Sequence, residues 1–401
     1  FAVGIVLREH GSAGLMVVAR VRNVDVCDGA ARDFIAAVLD HSASVGVRGQ
    51  ITYDYLKGLG FSQIDVTGCP SLALNGPGLP LREKQPLTPE SKLCFTGSVS
   101  NPPDFKKFAV RCTERFPNTY FVPQFIDDLR LMYLGIPHPA TADSRVLHPT
   151  NLDHPVFVED KARFFINLPS MFAFNREMDF NYGTRIHGAI GNILCGVPSL
   201  LFPTDARIRE LAEYHNIPAI PASAVTPDTD LAALYDQTDF RQVNNGHAER
   251  FWHLIDFLNE NGIKTIYDDR TGTPARSLYD EKTAATSYAQ PVHSMLVRPP
   301  EEIARRVDTA VRLQRKEIED DSRLATQLRD SQRKVTQLQE RNKKQDAQIQ
   351  ALKEERKALK TELKATKKPL RRLAWYQRTS TFGIGLARLK KKLRRLLGKE
   401  K

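Results

Sequence analysis

The alternation of apolar and polar positions predicts an α/β region followed by a long helical end. Short apolar runs of strand type alternate with segments whose apolar residues recur at helical spacing. This order is typical of parallel sheets in α/β domains. Strands are predicted at 1–7, 15–19, 43–48, 63–67, 92–97, 120–125, 178–182 and 199–202, and helices at 30–39, 52–59, 104–116, 189–194, 205–210 and 241–261.

The α/β region divides at a segment rich in proline and glycine. Residues 75–90 contain four prolines and two glycines, a composition typical of a connection between folded parts. We therefore predict a first half-domain at 1–90, a second at 91–265 and a polar linker at 266–300. Because 1–7 already reads as a strand, without a methionine or a charged leader before it, we expect the first half-domain to be N-terminally incomplete.

Residues 301–366 carry a heptad pattern. No glycine or proline occurs from 303 to 368, and eight of the twelve core positions are apolar, which predicts a coiled coil. The polar core residue Asn342 favours few strands in a fixed register, so we expect a parallel homodimer through 324–363, with a single solvated helix as the alternative. The a positions are Leu328, Val335, Asn342, Ile349, Arg356 and Leu363, and the d positions are Leu324, Ser331, Leu338, Gln345, Leu352 and Leu359.

The last segment, 367–401, is strongly basic. From 366 to 401 there are thirteen Lys or Arg and one Glu, a net +12 against +11 for the whole chain, so the first 365 residues total −1. Leucines and Phe382 form one apolar stripe among these cations, and such a helix suits an anionic membrane surface, here through 370–397. Nucleic acid and the absence of a defined partner are the alternatives; the stripe disfavours nucleic acid because phosphate binding does not require it. No apolar run approaches the roughly 18 residues of a membrane span.

The cysteines and the loop histidines indicate packing rather than metal binding. The five cysteines, at 27, 69, 94, 112 and 195, form no CxxC spacing, so we interpret them as reduced packing residues of a cytosolic protein. His138, His148 and His154 fall in a loop-rich segment, 135–155, whose spacings match no ligand pattern, and we expect them to be solvated. No metal site is predicted.

The stretch with the clearest chemistry is 179–210, which reads DFNYGTRIHGAIGNILCGVPSLLFPTDARIRE. A strand ends in a polar bend that carries Arg185 and His187, and a helix follows at once. Ligands of open α/β sheets bind at such junctions, and helix N-termini favour anions. The alternative interpretations are a structural ion pair for Arg185 and a core or capping histidine for His187.

Weaker candidates surround these two residues. Arg207 or Arg209 is a candidate second anion ligand, although Asp205, Arg207, Arg209 and Glu210 also fit the ordinary start of a helix. Arg48 ends a predicted strand of the first half-domain and is a candidate to face a cleft between the two half-domains. The amide of Gly188 lies in the first helical turn, where a glycine is also expected for backbone reasons.

Two ordered motif blocks resemble the polysaccharide pyruvyl transferase family. The first comprises S-V-G-V-R-G at 44–49, T-x-x-Y-L-x-x-L-G at 52–60 and V-T-G-C-P-S-L at 66–72. The second comprises G-T-R-I-H-G at 183–188, G-V-P at 196–198 and D-A-R-I-R-E-L-A-E-Y at 205–214. The resemblance covers about 1–265 and excludes the heptad segment and the basic tail. The family's glycine-rich first loop has no counterpart in these two blocks.

The resemblance implies an α/β fold of two Rossmann-like half-domains that face each other, as in GT-B glycosyltransferases. It implies transfer of the pyruvyl group of phosphoenolpyruvate to two sugar hydroxyls, with no further cofactor. In that reaction Arg185 would bind the anion, together with Arg48, Arg207, Arg209 and Gly188, and His187 would act as general acid, or alternatively bind the departing phosphate. We expect the acceptor to be a cell-surface polysaccharide or its lipid-linked precursor, and the enzyme to be cytoplasmic and peripheral on the inner face of the plasma membrane.

Two other functions fit the same pattern. A nucleotide-sugar glycosyltransferase could use the same two-domain fold, but no acidic pair is clearly placed for a ribose, Glu210 and Glu213 being weak candidates. A non-catalytic scaffold would use only the coiled coil and the tail, and retention of Arg185 and His187 argues against it.

Overall fold

A computed structural model describes residues 24–138, 148–268, 270, 277–379 and 381–396. The strands predicted at 1–7 and 15–19 lie outside these residues. The chain divides into two compact units, Phe1–Arg312, called the body below, and Leu313–Lys401.

The first half of the body is a β-α-β unit. Helix α1 (Val24–Leu39) precedes strand β1 (Val45–Val47), and helix α2 (Gln50–Gly58) leads into strand β2 (Ile64–Val66). The two strands pair in parallel, with Val45 opposite Ile64. A 3₁₀ helix, Pro70–Asn75, follows β2. The strands and the second helix agree with their predicted positions, and α1 begins six residues earlier than predicted.

The second half contains a four-stranded parallel sheet in the order β4-β3-β5-β6. Helices connect its strands, as the sequence predicts, and later helices complete the body. The strands are β3 (Leu93–Thr96), β4 (Thr119–Phe121), β5 (Phe180–Gly183) and β6 (Ser199–Leu201), and the helices are α3 (Pro103–Arg115), α4 (Ile126–Leu134), α5 (Pro155–Val158), α6 (Leu168–Asn175), α7 (Ile186–Leu194), α8 (Ala206–Tyr214), α9 (Leu231–Gln237), α10 (His247–Glu260) and α11 (Leu278–Thr283). The predicted α/β fold with two parallel half-domain sheets is confirmed.

The strand order creates a switch point between β3 and β5. The chain leaves β3 towards β4 on one side, whereas β5 continues to β6 on the other. Just beyond β5, the amides of Thr184 and Arg185 both donate to the Thr96 carbonyl at the end of β3, over 2.9 and 3.2 Å. Gly183 has φ +152°, and a Cβ there would lie 2.2 Å from that carbonyl oxygen, so only glycine fits. Open α/β sheets bind ligands at such a point.

A shared core and one buried carboxylate join the two halves. Cys69 and Leu72 of the first half pack in one apolar cluster with residues of α7 and α8. Glu210 of α8 accepts hydrogen bonds from Thr52, over 3.2 Å from its amide and 3.0 Å from its hydroxyl. Glu210 therefore caps the exposed amides of α2, a role that the interpretation of this residue as an ordinary first-turn acid did not include.

The stretch predicted as a linker makes specific contacts with the body. Val292 forms an antiparallel bridge with Phe164, and Ser294 and Met295 are buried. Farther on, the Arg306 guanidinium lies 4.0 Å from the Tyr133 ring centroid. The folded body thus includes residues up to Arg312, while the predicted domain boundaries stay predictions.

The C-terminal unit consists of helix. Helix α12 runs from Pro300 to Thr379 and continues through Pro369, and α13 spans Thr381–Leu396. The core heptad side chains are exposed in the single chain: Leu338, for example, is 56% exposed. The coiled coil stays a prediction. Among the described helices, none is long and apolar enough to cross a membrane.

Two of the three loop histidines are not solvated, contrary to expectation. His148 is 2% exposed, its Nε2 lies 3.9 Å from Asp128 Oδ1, and burial lowers its pKa. His154 Nδ1 accepts from the Val156 amide at the start of α5, and burial lowers its pKa to about 4. His148 packs beside Asp128 of α4, and His154 caps α5.

Candidate functional site

Arg185 and His187 lie at the carboxyl end of β5, where α7 begins. Arg185 is the N-cap residue, in an extended conformation, and His187 lies in the first turn. The amides of this turn point out of the helix end and favour an anion. Gly188 lies against β3, where a Cβ would be 2.6 Å from Thr96 Cγ2, so its missing side chain lets α7 approach the strand.

The Arg185 guanidinium is a half-buried cation with little compensation. It stacks over the Phe125 ring, 4.2 Å from the centroid, and its Nε is buried without a hydrogen-bond partner in the described part of the chain. Burial, and then the charge of Arg207, lower the pKa of Arg185, while Asp205 and Asp128 oppose this. A desolvated cation with a second cation nearby favours a bound anion.

The two arginines of α8 differ in their surroundings. Asp205 caps the helix, because its Oδ1 accepts from the Ile208 amide over 2.9 Å. Arg207 is half-buried and its charge acts on Arg185. Arg209 lies on the same helix with its Nε 3.9 Å from Glu213 Oε1. Arg207 therefore lies near enough to Arg185 for its charge to lower the pKa of Arg185, whereas Arg209 lies beside Glu213.

The first half-domain contributes Arg48 and Cys69 to the site. Arg48 Nη1 donates to the Gly68 carbonyl over 3.1 Å, and the Cys69 amide donates to His215 Nε2 over 2.8 Å. Burial raises the pKa of the Cys69 thiol, but hydrogen bonding with His187 and Ser71 and the charge of Arg48 bring it down to about 7. Arg48 and His187 thus both lower the pKa of this thiol, across the two halves.

Cys69 is the site residue that the sequence interpretation missed. It was assigned to packing, and it is indeed buried, at 2% exposure. The available signal was its position in the G-C-P-S block, directly after β2, but only the fold brings that block to His187.

His187 is exposed into a cavity of about 620 Å³. The cavity lies between α6, α7, α10 and the 3₁₀ helix, and its walls are mostly aliphatic and aromatic. Its polar lining residues in the described chain are few and include Ser71 and His187. The apolar lining includes Leu74, Val122, Phe164, Phe165, Leu168, Met171, Phe172, Ile190, Leu194, Phe251, Leu254, Ile255, Leu258 and Ile266.

The described residues contain no group of three or more His, Cys, Asp or Glu side chains arranged to hold a metal ion.

Part of the chain matches a known family model. Residues 23–205 match the family model described as polysaccharide pyruvyl transferase, which confirms the resemblance seen in the motifs. A search of curated proteins gave no match.

Solved structures give only distant likenesses. One is the glycotransferase of kitacinnamycin, 17% identical, with a TM-score of 0.27, covering 55% of this chain and 52% of that one. Another is a Listeria monocytogenes protein described as a UDP-N-acetylglucosamine 2-epimerase, 14% identical, with a TM-score of 0.30, covering 58% of this chain and 61% of that one. The chain thus spans between half and two thirds of the length of these two structures.

Proposed function

Because residues 23–205 carry the polysaccharide pyruvyl transferase family region, we propose that this chain transfers a pyruvyl group from phosphoenolpyruvate to sugar hydroxyls, forming a pyruvate ketal. The observation that carries the proposal is the half-buried Arg185 guanidinium with Arg207 near it and the exposed His187 two residues away. Phosphoenolpyruvate presents a phosphate and a carboxylate, and two guanidinium groups with helix amides match both.

The reaction assigns one role to each side chain. Arg185 and the first turn of α7 hold the anion, with Arg207 and Arg48 as further cations. His187 donates a proton to the methylene carbon while a sugar oxygen attacks the adjacent carbon. A second sugar hydroxyl then displaces phosphate. Of the two hydroxyl protons, one replaces the proton given by His187 and the other leaves with phosphate.

The apolar cavity favours a lipid-linked form of the acceptor. A free polysaccharide has no apolar part to occupy walls of phenylalanine and leucine, whereas a lipid-linked precursor does. With His187 in the cavity wall, an apolar chain could lie beside the reacting sugar. The acceptor in this proposal is therefore the lipid-linked precursor of a cell-surface polysaccharide.

The C-terminal unit would bring two catalytic bodies to a membrane. Exposed leucines at the heptad core positions support a homodimer through 324–363. The basic residues of 370–397 support attachment to an anionic membrane surface, which would hold the enzyme peripherally at the cytoplasmic face.

A nucleotide-sugar glycosyltransferase is less well supported. Glu210, one candidate for a ribose contact, is buried against Thr52, and Glu213 lies near Arg209. Glu210 is therefore not available to bind a ribose.

Phosphate release distinguishes these functions. The full-length protein is incubated with phosphoenolpyruvate and a panel of lipid-linked sugars, and in parallel with nucleotide sugars. The proposal expects phosphate release that requires an acceptor and falls about 10²- to 10⁴-fold in His187→Ala, as for loss of a general acid. His253→Ala, an exposed histidine of α10, is the control. Consumption of a nucleotide sugar without phosphate release from phosphoenolpyruvate would reject the proposal.

A further inference from the structure

The loop between β3 and α3, residues 97–102, follows the strand that lies beside β5 in the sheet. Within it the Asn101 amide donates to the Ser98 carbonyl over 3.1 Å, which closes a tight turn. Asn101 is 5% exposed, and its side-chain Oδ1 accepts a hydrogen bond from the Thr184 hydroxyl over 2.8 Å. Because Thr184 directly precedes Arg185, this hydrogen bond fixes Asn101 at the carboxyl end of β5, where the candidate site begins.

Only the oxygen of the Asn101 side chain takes part in this contact. The NH2 group carries two N–H donors, and among the described residues none accepts a hydrogen bond from them. Buried side-chain donors normally have a partner. The contact with Thr184 needs only an acceptor, which an aspartate could also provide, so the fold alone does not require an NH2 group here. A ligand with acceptor oxygens would give these donors a partner.

The start of α7 also offers donors without acceptors. The first amide of this turn that binds a helix carbonyl is that of Ala189, which donates to the Arg185 carbonyl over 3.1 Å. The amides of residues 186–188 come earlier and therefore have no intrahelical acceptor. The Arg185 Nε is buried, with no partner among the described residues. The end of β5 thus carries a helix terminus, a guanidinium and a side-chain NH2 group, all of which donate, and such a set favours an anion.

A phosphate group matches this set better than a carboxylate does. It has three terminal oxygens, each a strong acceptor, whereas a carboxylate has two. The α7 amides, the Arg185 guanidinium and the Asn101 NH2 group are three kinds of donor, one for each terminal oxygen. Arg207 of α8 then remains for the carboxylate of the donor substrate.

We propose that Asn101 binds the phosphate group of phosphoenolpyruvate, with its NH2 group donating to one phosphate oxygen beside Arg185 and the first turn of α7. The Thr184 hydroxyl binds Oδ1 and so leaves the NH2 group, rather than the oxygen, for the anion. No covalent bond forms or breaks in this contact. The identity of the bound molecule rests on the proposed function, whereas the phosphate site itself does not.

The test exchanges the NH2 group while keeping the contact with Thr184. Asn101→Asp retains an oxygen that can accept from the Thr184 hydroxyl and puts a second oxygen in place of the NH2 group. Phosphorus NMR of the full-length protein follows the binding of inorganic phosphate and, separately, of phosphoenolpyruvate. Both should bind about 10-fold more weakly in Asn101→Ala, which loses a hydrogen bond to a charged group, and at least about 100-fold more weakly in Asn101→Asp, which adds repulsion.

Asn118→Asp is the matched control, because Asn118 Nδ2 donates to the Glu90 carbonyl over 3.0 Å just before β4 begins, at the other end of the sheet. It should leave both affinities unchanged, and denaturant unfolding shows whether each variant is folded. If Asn101 only ties the loop to β5, Asn101→Asp keeps that contact and binds phosphate as wild type does, which would overturn the proposal. Should Asn101→Asp fail to fold, unchanged affinities in Asn101→Ala would overturn it equally.

The outcomes separate this site from the proposed reaction. Phosphoenolpyruvate binding that is equal in wild type and both Asn101 variants would overturn the role of Asn101 and leave the reaction standing. Binding of inorganic phosphate that depends on Asn101, without any binding of phosphoenolpyruvate, would reject the reaction and keep the site. A wild-type protein that binds neither compound would overturn both.

Discussion

The body and the helix beyond Arg312 differ in how far their apolar side chains are exposed. In the body, Phe105, Phe108 and Tyr182 are fully buried around the four-stranded sheet. In the helix, Leu324 and Leu352 are each 63% exposed although they occupy core heptad positions. The body buries its apolar side chains within one chain, whereas the helix leaves its heptad core side chains exposed in the single chain. The proposed reaction depends on the body, and the proposed dimer and membrane contacts depend on the helix.

The largest expected effect concerns the basic tail. Each Lys or Arg near an anionic membrane contributes about 1 kcal/mol, so full-length protein should sediment with anionic vesicles and not with neutral ones. Reversing three exposed tail charges, Lys390→Glu, Lys391→Glu and Lys392→Glu together, should weaken this binding more than about 100-fold. The matched control reverses Lys343, Lys344 and Lys357 on the outer face of the heptad segment. Equal binding to both kinds of vesicle would contradict the electrostatic account.

The next effect concerns the apolar seam of the helix. Leu338→Lys puts a charge at a d position, and the lost burial of leucine should weaken the dimer at least about 100-fold. Glu340→Lys, at the outer f position of the same heptad, should leave it intact. Sedimentation equilibrium measures both. A wild-type protein that is monomeric at high concentration would contradict the predicted dimer.

A smaller effect tests how the two half-domains are joined. Glu210→Ala leaves the Thr52 amide and hydroxyl without their buried acceptor and should lower the free energy of unfolding by about 1–3 kcal/mol. Glu210→Gln should cost less, since its amide can replace both hydrogen bonds. The exposed neighbour Glu213→Ala should change stability by no more than about 0.5 kcal/mol. Denaturant unfolding compares them, and equal losses at 210 and 213 would show that the buried carboxylate does not join the halves.

The smallest effect is the pH dependence that His215 adds. Its pKa is lowered on folding, so the unfolded chain binds the extra proton, and stability is present above the unfolded pKa and lost as pH falls below it. Between pH 7 and pH 6 this one residue should account for about 0.7 kcal/mol. His215→Gln can still accept from the Cys69 amide, and should remove that part of the loss. An unchanged pH dependence in this variant would mean that His215 is not buried as a neutral acceptor.

The sequence predicted those parts of the body whose signal is local. Strands β1, β3, β5 and β6 are short apolar runs bounded by polar turns, and α3 has a clear apolar face, so they fall close to their predicted positions. Helices α4, α6 and α9 were not predicted. The segment of α6, LPSMFAFN, is apolar on nearly every side and has no helical period to detect, because it lines the cavity.

The sequence predicted the site residues of the second half-domain, but not how the first half-domain packs against them. Arg185 and His187 share one short motif at a strand end, and the sequence indicated them together. The packing of Cys69 against α7 joins two motifs that are far apart along the chain, and spacing carries no information about it. The burial of Glu210 and His148 was missed for the same reason, since each is fixed by a helix that packs on it from elsewhere in the sequence.

The most direct test of the account is the binding of phosphoenolpyruvate to the full-length protein, measured by titration calorimetry in wild type, Arg185→Met and Arg209→Met. Wild type should bind phosphoenolpyruvate, and Arg185→Met should bind it about 10- to 100-fold more weakly, through loss of charge-assisted hydrogen bonds. Arg209→Met, which removes the cation beside Glu213, should bind nearly as wild type does. Equal affinity in wild type and Arg185→Met, or no binding of phosphoenolpyruvate to wild type, would contradict the assignment of this site.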